Sequence, residues 1–153
     1  MAPVSPEAAE RAVAQVMRLL AATFAVVGIL FIATPDGVIG AIDDAGDAIG
    51  SFAEGPASDQ KLWLGLAFAY MTVITGIALV VASDVRRYRP LLLVLAAGKA
   101  ASSLTSGAFF LFEDDVFIYL VNFLVDGGLV GVALGCWSLA GRAERSAAAP
   151  APG

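Results

Sequence analysis

Two ionisable side chains stand where apolar sequence surrounds them: Lys99 inside LLLVLAAGKAASSLTSGAFFLF and Asp126 inside VFIYLVNFLVDGGLVGVALGCWSL. Each sits near the middle of a run of about 20 residues, the length that crosses a bilayer as a helix. A charge at that depth is costly unless it is paired or faces water. Opposite signs on consecutive runs point to a pair. At about 3.6 residues per turn, Lys99, Ser102, Ser103 and Ser106 share an arc of about 100°. Asn122 lies one turn from Asp126. Counted from the Glu113-Asp114-Asp115 loop that joins the runs, Lys99 is about one turn deeper than Asp126. That offset is roughly 4–5 Å, within reach of a lysine. Thr72 and Thr75 fall at a similar depth on the preceding run. The expected cluster is therefore Thr72, Thr75, Lys99, Ser102, Ser103, Ser106, Asn122 and Asp126. Such a cluster suits a proton or ion relay, or a polar pocket for the head group of a lipophilic ligand. It equally suits a buried ion pair that fixes the register of two helices.

Other chemistries are poorly supplied. The 153 residues contain no histidine and one cysteine, Cys136. That excludes histidine-ligated haem, histidine metal sites, a Ser-His-Asp triad and an internal disulfide. Lys99 could serve as a base or nucleophile, but no partner for such a reaction is visible, so no catalytic residue, metal or cofactor is assigned. Asp43-Asp44-Ala45-Gly46-Asp47 spells a DDxxD pattern, and Asp43–Glu54 half-matches a calcium loop. No second acidic motif accompanies the first, and Ala45 and Ala48 occupy the wrong positions in the second. A solvated acidic helix face accounts for both. Cys136 and Trp137 read as a buried thiol beside an interfacial tryptophan.

The elements that must position the cluster follow from composition. The chain is 59% hydrophobic and 15% charged, where a soluble domain carries about 25% charged residues. Its mean hydropathy is +0.82. A net charge of −5 argues against nucleic acid as a partner. The expected fold is all-α: one four-helix transmembrane bundle, with spans at roughly 14–34, 62–83, 91–112 and 116–140. Ser5-Pro6-Glu7 reads as a helix start, and Arg18 snorkels from the first span. A cleaved signal peptide fits poorly, because Glu7 and Glu10 accompany Arg11 and no A-x-A site follows. Between the first two spans, Ile39, Ile42, Ile49 and Phe52 oppose Asp43, Asp44 and Asp47, which predicts a surface helix near 38–53. On the second span, Gly65, Ala69, Thr72, Thr75, Gly76 and Ser83 share a side expected to face the bundle. On the fourth, Gly127, Gly131 and Gly135 form a doubled GxxxG stripe. It would meet helix one or two within the chain, or else a homodimer or another subunit. Residues 142–153 read as a disordered tail.

Loop charge sets the orientation. Seven basic residues, Arg11, Arg18, Arg86, Arg87, Arg89, Arg142 and Arg145, fall on the side of both termini, against Lys61 on the other. The rule that basic loops stay inside places both termini in the cytoplasm, in a cell (inner) membrane.

Arg18-Leu19-Leu20, Gly28 and Thr34-Pro35, spread across the first span, resemble small bacterial four-helix membrane proteins of the DoxX-like type. Some relatives of that group are associated with quinone-linked redox complexes, so the resemblance implies an accessory subunit of a larger membrane complex. Two classes of function are expected: a non-catalytic accessory subunit or lipophile-binding protein, or a small ion-coupled transporter acting as an oligomer.

Overall fold

The computed structural model describes residues 5–56 and 60–148. Among the described residues six helices follow in order: α1 (Pro6–Ala33), α2 (Pro35–Asp47), α3 (Lys61–Ser83), α4 (Val85–Tyr88), α5 (Leu91–Phe112) and α6 (Phe117–Ala148). Among the described residues β-structure is limited to an isolated bridge between Ala53 and Val116. α1, α3, α5 and α6 are long and apolar enough to cross a membrane. The 22 residues of α5 rise about 33 Å, against a hydrocarbon core of about 30 Å.

The four long helices form two antiparallel hairpins, α1 with α3 and α5 with α6, which meet mainly where α1 packs on α6. The long helices carry large apolar side chains on their outer as well as their inner faces, so close packing and polar contacts mark the buried face more than apolarity does. α1 turns in Ala9, Val13, Met17, Ala21, Phe24 and Gly28, one stripe at helical spacing. α5 turns in Leu92, Leu95, Ala96, Lys99, Ser103 and Gly107. Lys99 thus sits within the buried stripe of its helix. Large side chains such as Leu19, Leu111 and Phe112 stay outward, at 69%, 72% and 84% exposure.

The two ends of the bundle differ in charge. At the basic end, Arg86 donates to Glu10, while Arg89 donates to the Trp137 carbonyl at 3.0 Å and to Glu144 at 2.8 Å. Arg89 also stacks on the Trp137 ring, 4.4 Å from its centroid. At the acidic end, α2 lies against the start of α6, because Gly46 leaves room for Phe117. A Cβ on Gly46 would come within 2.8 Å of that ring.

Three expectations are corrected here. The surface helix spans 35–47 rather than 38–53. It ends before the Gly50-Ser51 pair, which has weak helix propensity, leaving Ile49 73% exposed. Phe52 instead folds back onto Phe117, with ring centroids 4.9 Å apart. The small-residue side of α3 does not face the bundle. Gly65, Ala69, Thr72, Gly76 and Ser83 are exposed, and the buried residues are Ile74, Ala78, Val81 and Ala82. The hydroxyls on that side are satisfied by their own helix and so do not require an inward position. Residues 142–148, expected to be disordered, extend α6. Ala143 is buried and Glu144 is tied to Arg89, which stabilises the added turns. Residues 149–153 of that tail lie outside the described residues.

Candidate functional site

All four long helices meet at Lys99. Its Nζ donates to Asp126 Oδ1 at 2.8 Å, and the two side chains are 2% and 5% exposed. The same ammonium lies 4.2 Å from the centroid of the Phe24 ring and 5.3 Å from that of Tyr70. Lys99 comes from α5, Asp126 from α6, Phe24 from α1 and Tyr70 from α3. A cation against aromatic faces gains electrostatic stabilisation that grows as water is excluded. The pair thus has a direct partner on each side and two π faces around the cation.

On the acidic-end side of the pair, further polar groups line the α5–α6 seam. Ser103 Oγ donates to the Phe123 carbonyl at 2.8 Å. The Asn122 amide bridges to Ser102 at 3.1 Å and to Ser106 at 2.6 Å. Beyond them the Phe109 and Tyr119 rings approach to 5.7 Å. Toward the basic end the surroundings change sharply. There Leu92, Leu95, Ala96, Ala133, Cys136 and Ala140 are buried together, with no polar side chain among them. The polar character of the seam is therefore one-sided.

Six of the eight expected cluster residues come together: Lys99, Asp126, Ser102, Ser103, Ser106 and Asn122. Thr72 and Thr75 do not join them. Their hydroxyls donate to the carbonyls of Phe68 and Met71 in their own helix, both at 2.9 Å. With Phe24, Gly28 and Met71 they line a groove of about 180 Å³ between α1 and α3. Depth alone placed them at the right level, but the face of α3 that turns inward is the one carrying Tyr70 and Ile74. Phe24 and Tyr70 are the site residues that sequence reasoning missed. Tyr70 carried a signal, since a tyrosine at mid-span stands far from the interfacial belt where tyrosines gather. Phe24 carried none beyond its apolarity.

The glycine stripe splits. Gly127 packs on Ser103, whose Oγ would lie 3.2 Å from an added Cβ. Gly131 and Gly135 have open space where a Cβ would stand. The expectation that the whole stripe meets helix one or two within the chain is corrected accordingly. Its only packed member serves the α5–α6 seam. In the acidic segment, Asp43 accepts from the Gly55 amide at 3.0 Å, while Asp44 and Asp47 are exposed. Among the described residues, no three acidic, cysteine or histidine groups converge on one point.

Comparison of the chain with protein-family models, with curated proteins and with solved structures returns no match.

Proposed function

We propose that this is a non-catalytic multi-pass protein of the cell membrane, an accessory subunit or lipophile-binding protein, in which Lys99–Asp126 ties α5 to α6 and the Lys99 contacts with Phe24 and Tyr70 join that hairpin to the other. The observation that carries this reading is the closure of the pair. Lys99 and Asp126 satisfy each other at 2.8 Å, both are buried, and Phe24 and Tyr70 cover the cation. The grooves between α1 and α3, beneath α2, beside Phe123 and near Glu10 all lack Lys99 and Asp126 in their walls. A substrate approaching the pair would have to displace packed side chains. Lipophile binding is supported by the apolar groove beneath α2, about 610 Å³, lined by residues including Leu30, Val38, Ile42, Phe117 and Val121.

The basic end faces the cytoplasm in this proposal, which places the α2 segment and the 113–115 loop outside. Reporter fusions after Phe52 and after Asp115 should read external, and a cytoplasmic signal from either would reverse the orientation. The function is tested by mass spectrometry of protein purified under mild conditions. A lipophile or partner protein at near-stoichiometric amount is the expected result. A transporter is the rival, and it predicts a proton-coupled flux in proteoliposomes that Asp126→Asn abolishes. Such a flux, with no copurified ligand, would overturn the proposal.

A further inference from the structure

Asn122, Ser102 and Ser106 hold more hydrogen-bonding capacity than they use. The three side chains carry four polar hydrogens between them, and two contacts join them. Whichever way the amide is turned, two donors remain unspent, and so does acceptor capacity. The hydroxyls of Thr72, Thr75 and Ser83 show the usual solution for such groups in an apolar helix, donation to a carbonyl of the same helix. Ser102 and Ser106 face Asn122 instead. All three members are partly exposed, so they are not sealed within the core.

What leaves them open is the splay of α3. No residue of α3 before Ile74 is buried, and α3 touches α5 only sparsely. Tyr70 of α3 reaches α5 at Gly98, where an added Cβ would lie 3.7 Å from its hydroxyl. Ser102 follows one turn further toward the acidic end. Beyond that point, α3 provides no cover for the seam. The triad therefore faces the apolar phase of the leaflet at the acidic end. In hydrocarbon an unspent donor is expensive, and the leaflet itself contains acceptors.

Resting on the lipophile-binding reading above, we infer that Asn122, Ser102 and Ser106 bind the ester carbonyl of a neutral, two-chain membrane lipid entering sideways between α3 and α5. The carbonyl takes the spare donors. Neutrality follows from charge and depth. The triad has no ionised member, and its nearest charges, Lys99 and Asp126, are already paired. Ser106 and Ser102 lie about 9 and 15 Å below the Phe112 end of α5. A phosphate head would have to leave the interface to bring its esters so deep, whereas a head consisting of one hydroxyl can follow its chains inward.

The test uses the full-length protein in phosphatidylcholine nanodiscs containing diacylglycerol with a diazirine in one chain, mapped by mass spectrometry after photolysis. Label should fall on 98–109 and 119–126. Unlabelled diacylglycerol should compete about tenfold better than the dialkyl ether of equal chain length, as expected for two net hydrogen bonds of modest size. Asn122→Leu and the double variant Ser102→Ala/Ser106→Ala should each lose the label while keeping their thermal midpoints. Equal competition by the ether, or full labelling of the double variant, would overturn the site. Competable label confined to the groove beneath α2 would also overturn it, but would leave lipophile binding standing. Label that no competitor reduces anywhere would overturn both.

Discussion

Removing either member of the Lys99–Asp126 pair should destabilise the bundle far more than removing both. At a contact of 2.8 Å and an effective dielectric near 20, the gross attraction is about 6 kcal/mol. Desolvation of two buried ions offsets most of it, so the intact pair contributes little net stability. A single variant meets a different balance, because the orphan stays in the core without compensation. Lys99→Met or Asp126→Leu should each cost roughly 3–5 kcal/mol. The two singles should also differ. Asp126→Leu leaves the ammonium on the Phe24 face, 4.2 Å from its centroid, a contact worth about 1–2 kcal/mol when desolvated. Lys99→Met loses that contact as well and should be the more damaging. The double variant places apolar side chains on both helices and should return to within about 1–2 kcal/mol of the parent. Thermal unfolding in detergent reads these changes, with a shift on the order of 10 °C for each single. Two mild singles whose effects simply add in the double would refute the pairing.

Three other substitutions probe separate parts of the account. Tyr70→Phe removes a buried hydroxyl with no hydrogen-bond partner and keeps the ring beside Lys99, so thermal stability should be unchanged or rise by up to about 1 kcal/mol. A clear loss would show that the hydroxyl is bonded. Arg89→Ala breaks the bonds to Trp137 and Glu144 and the ring stack. It should cost about 1–3 kcal/mol and speed amide exchange over 141–148, and unchanged exchange there would separate the α6 extension from this contact. Gly46→Val would drive a side chain into Phe117 and should detach α2, seen as faster proteolysis within 35–56 while α5 and α6 remain protected.

How much of this was legible in the sequence depends on which physical signal each residue carried. The four long apolar helices and the pair were legible because charge inside a long apolar run is rare and costly, and because the loop at 113–115 fixes the relative depth of Lys99 and Asp126. The Asn122, Ser102 and Ser106 contacts followed from the same count. Rotation of α3 was not legible. Small and hydroxyl residues suggest an inward face only when their hydroxyls need an external partner, and those of Thr72 and Thr75 do not. The aromatic faces around Lys99 were hidden for a different reason. Phe24 is one of many apolar residues on α1, and its role depends on how the two hairpins meet. The end of α6 depends likewise on Arg89, whose reach to Glu144 spans 55 positions in sequence.

The central claim is the α5–α6 register that brings Lys99 opposite Asp126, and a disulfide one turn away tests it most directly. An added Cβ on Gly127 would lie 3.2 Å from Ser103 Oγ, which suits a Cβ–Cβ separation of about 3.5–4.5 Å for a disulfide. With Cys136→Ser as background, Ser103→Cys combined with Gly127→Cys should form an intramolecular disulfide rapidly in native membranes under mild oxidant, seen as a protected thiol pair. Ser103→Cys with Gly131→Cys, one turn further along α6, should not. Free thiols in the first variant, or a bridge only in the second, would contradict the register and with it the Lys99–Asp126 pair.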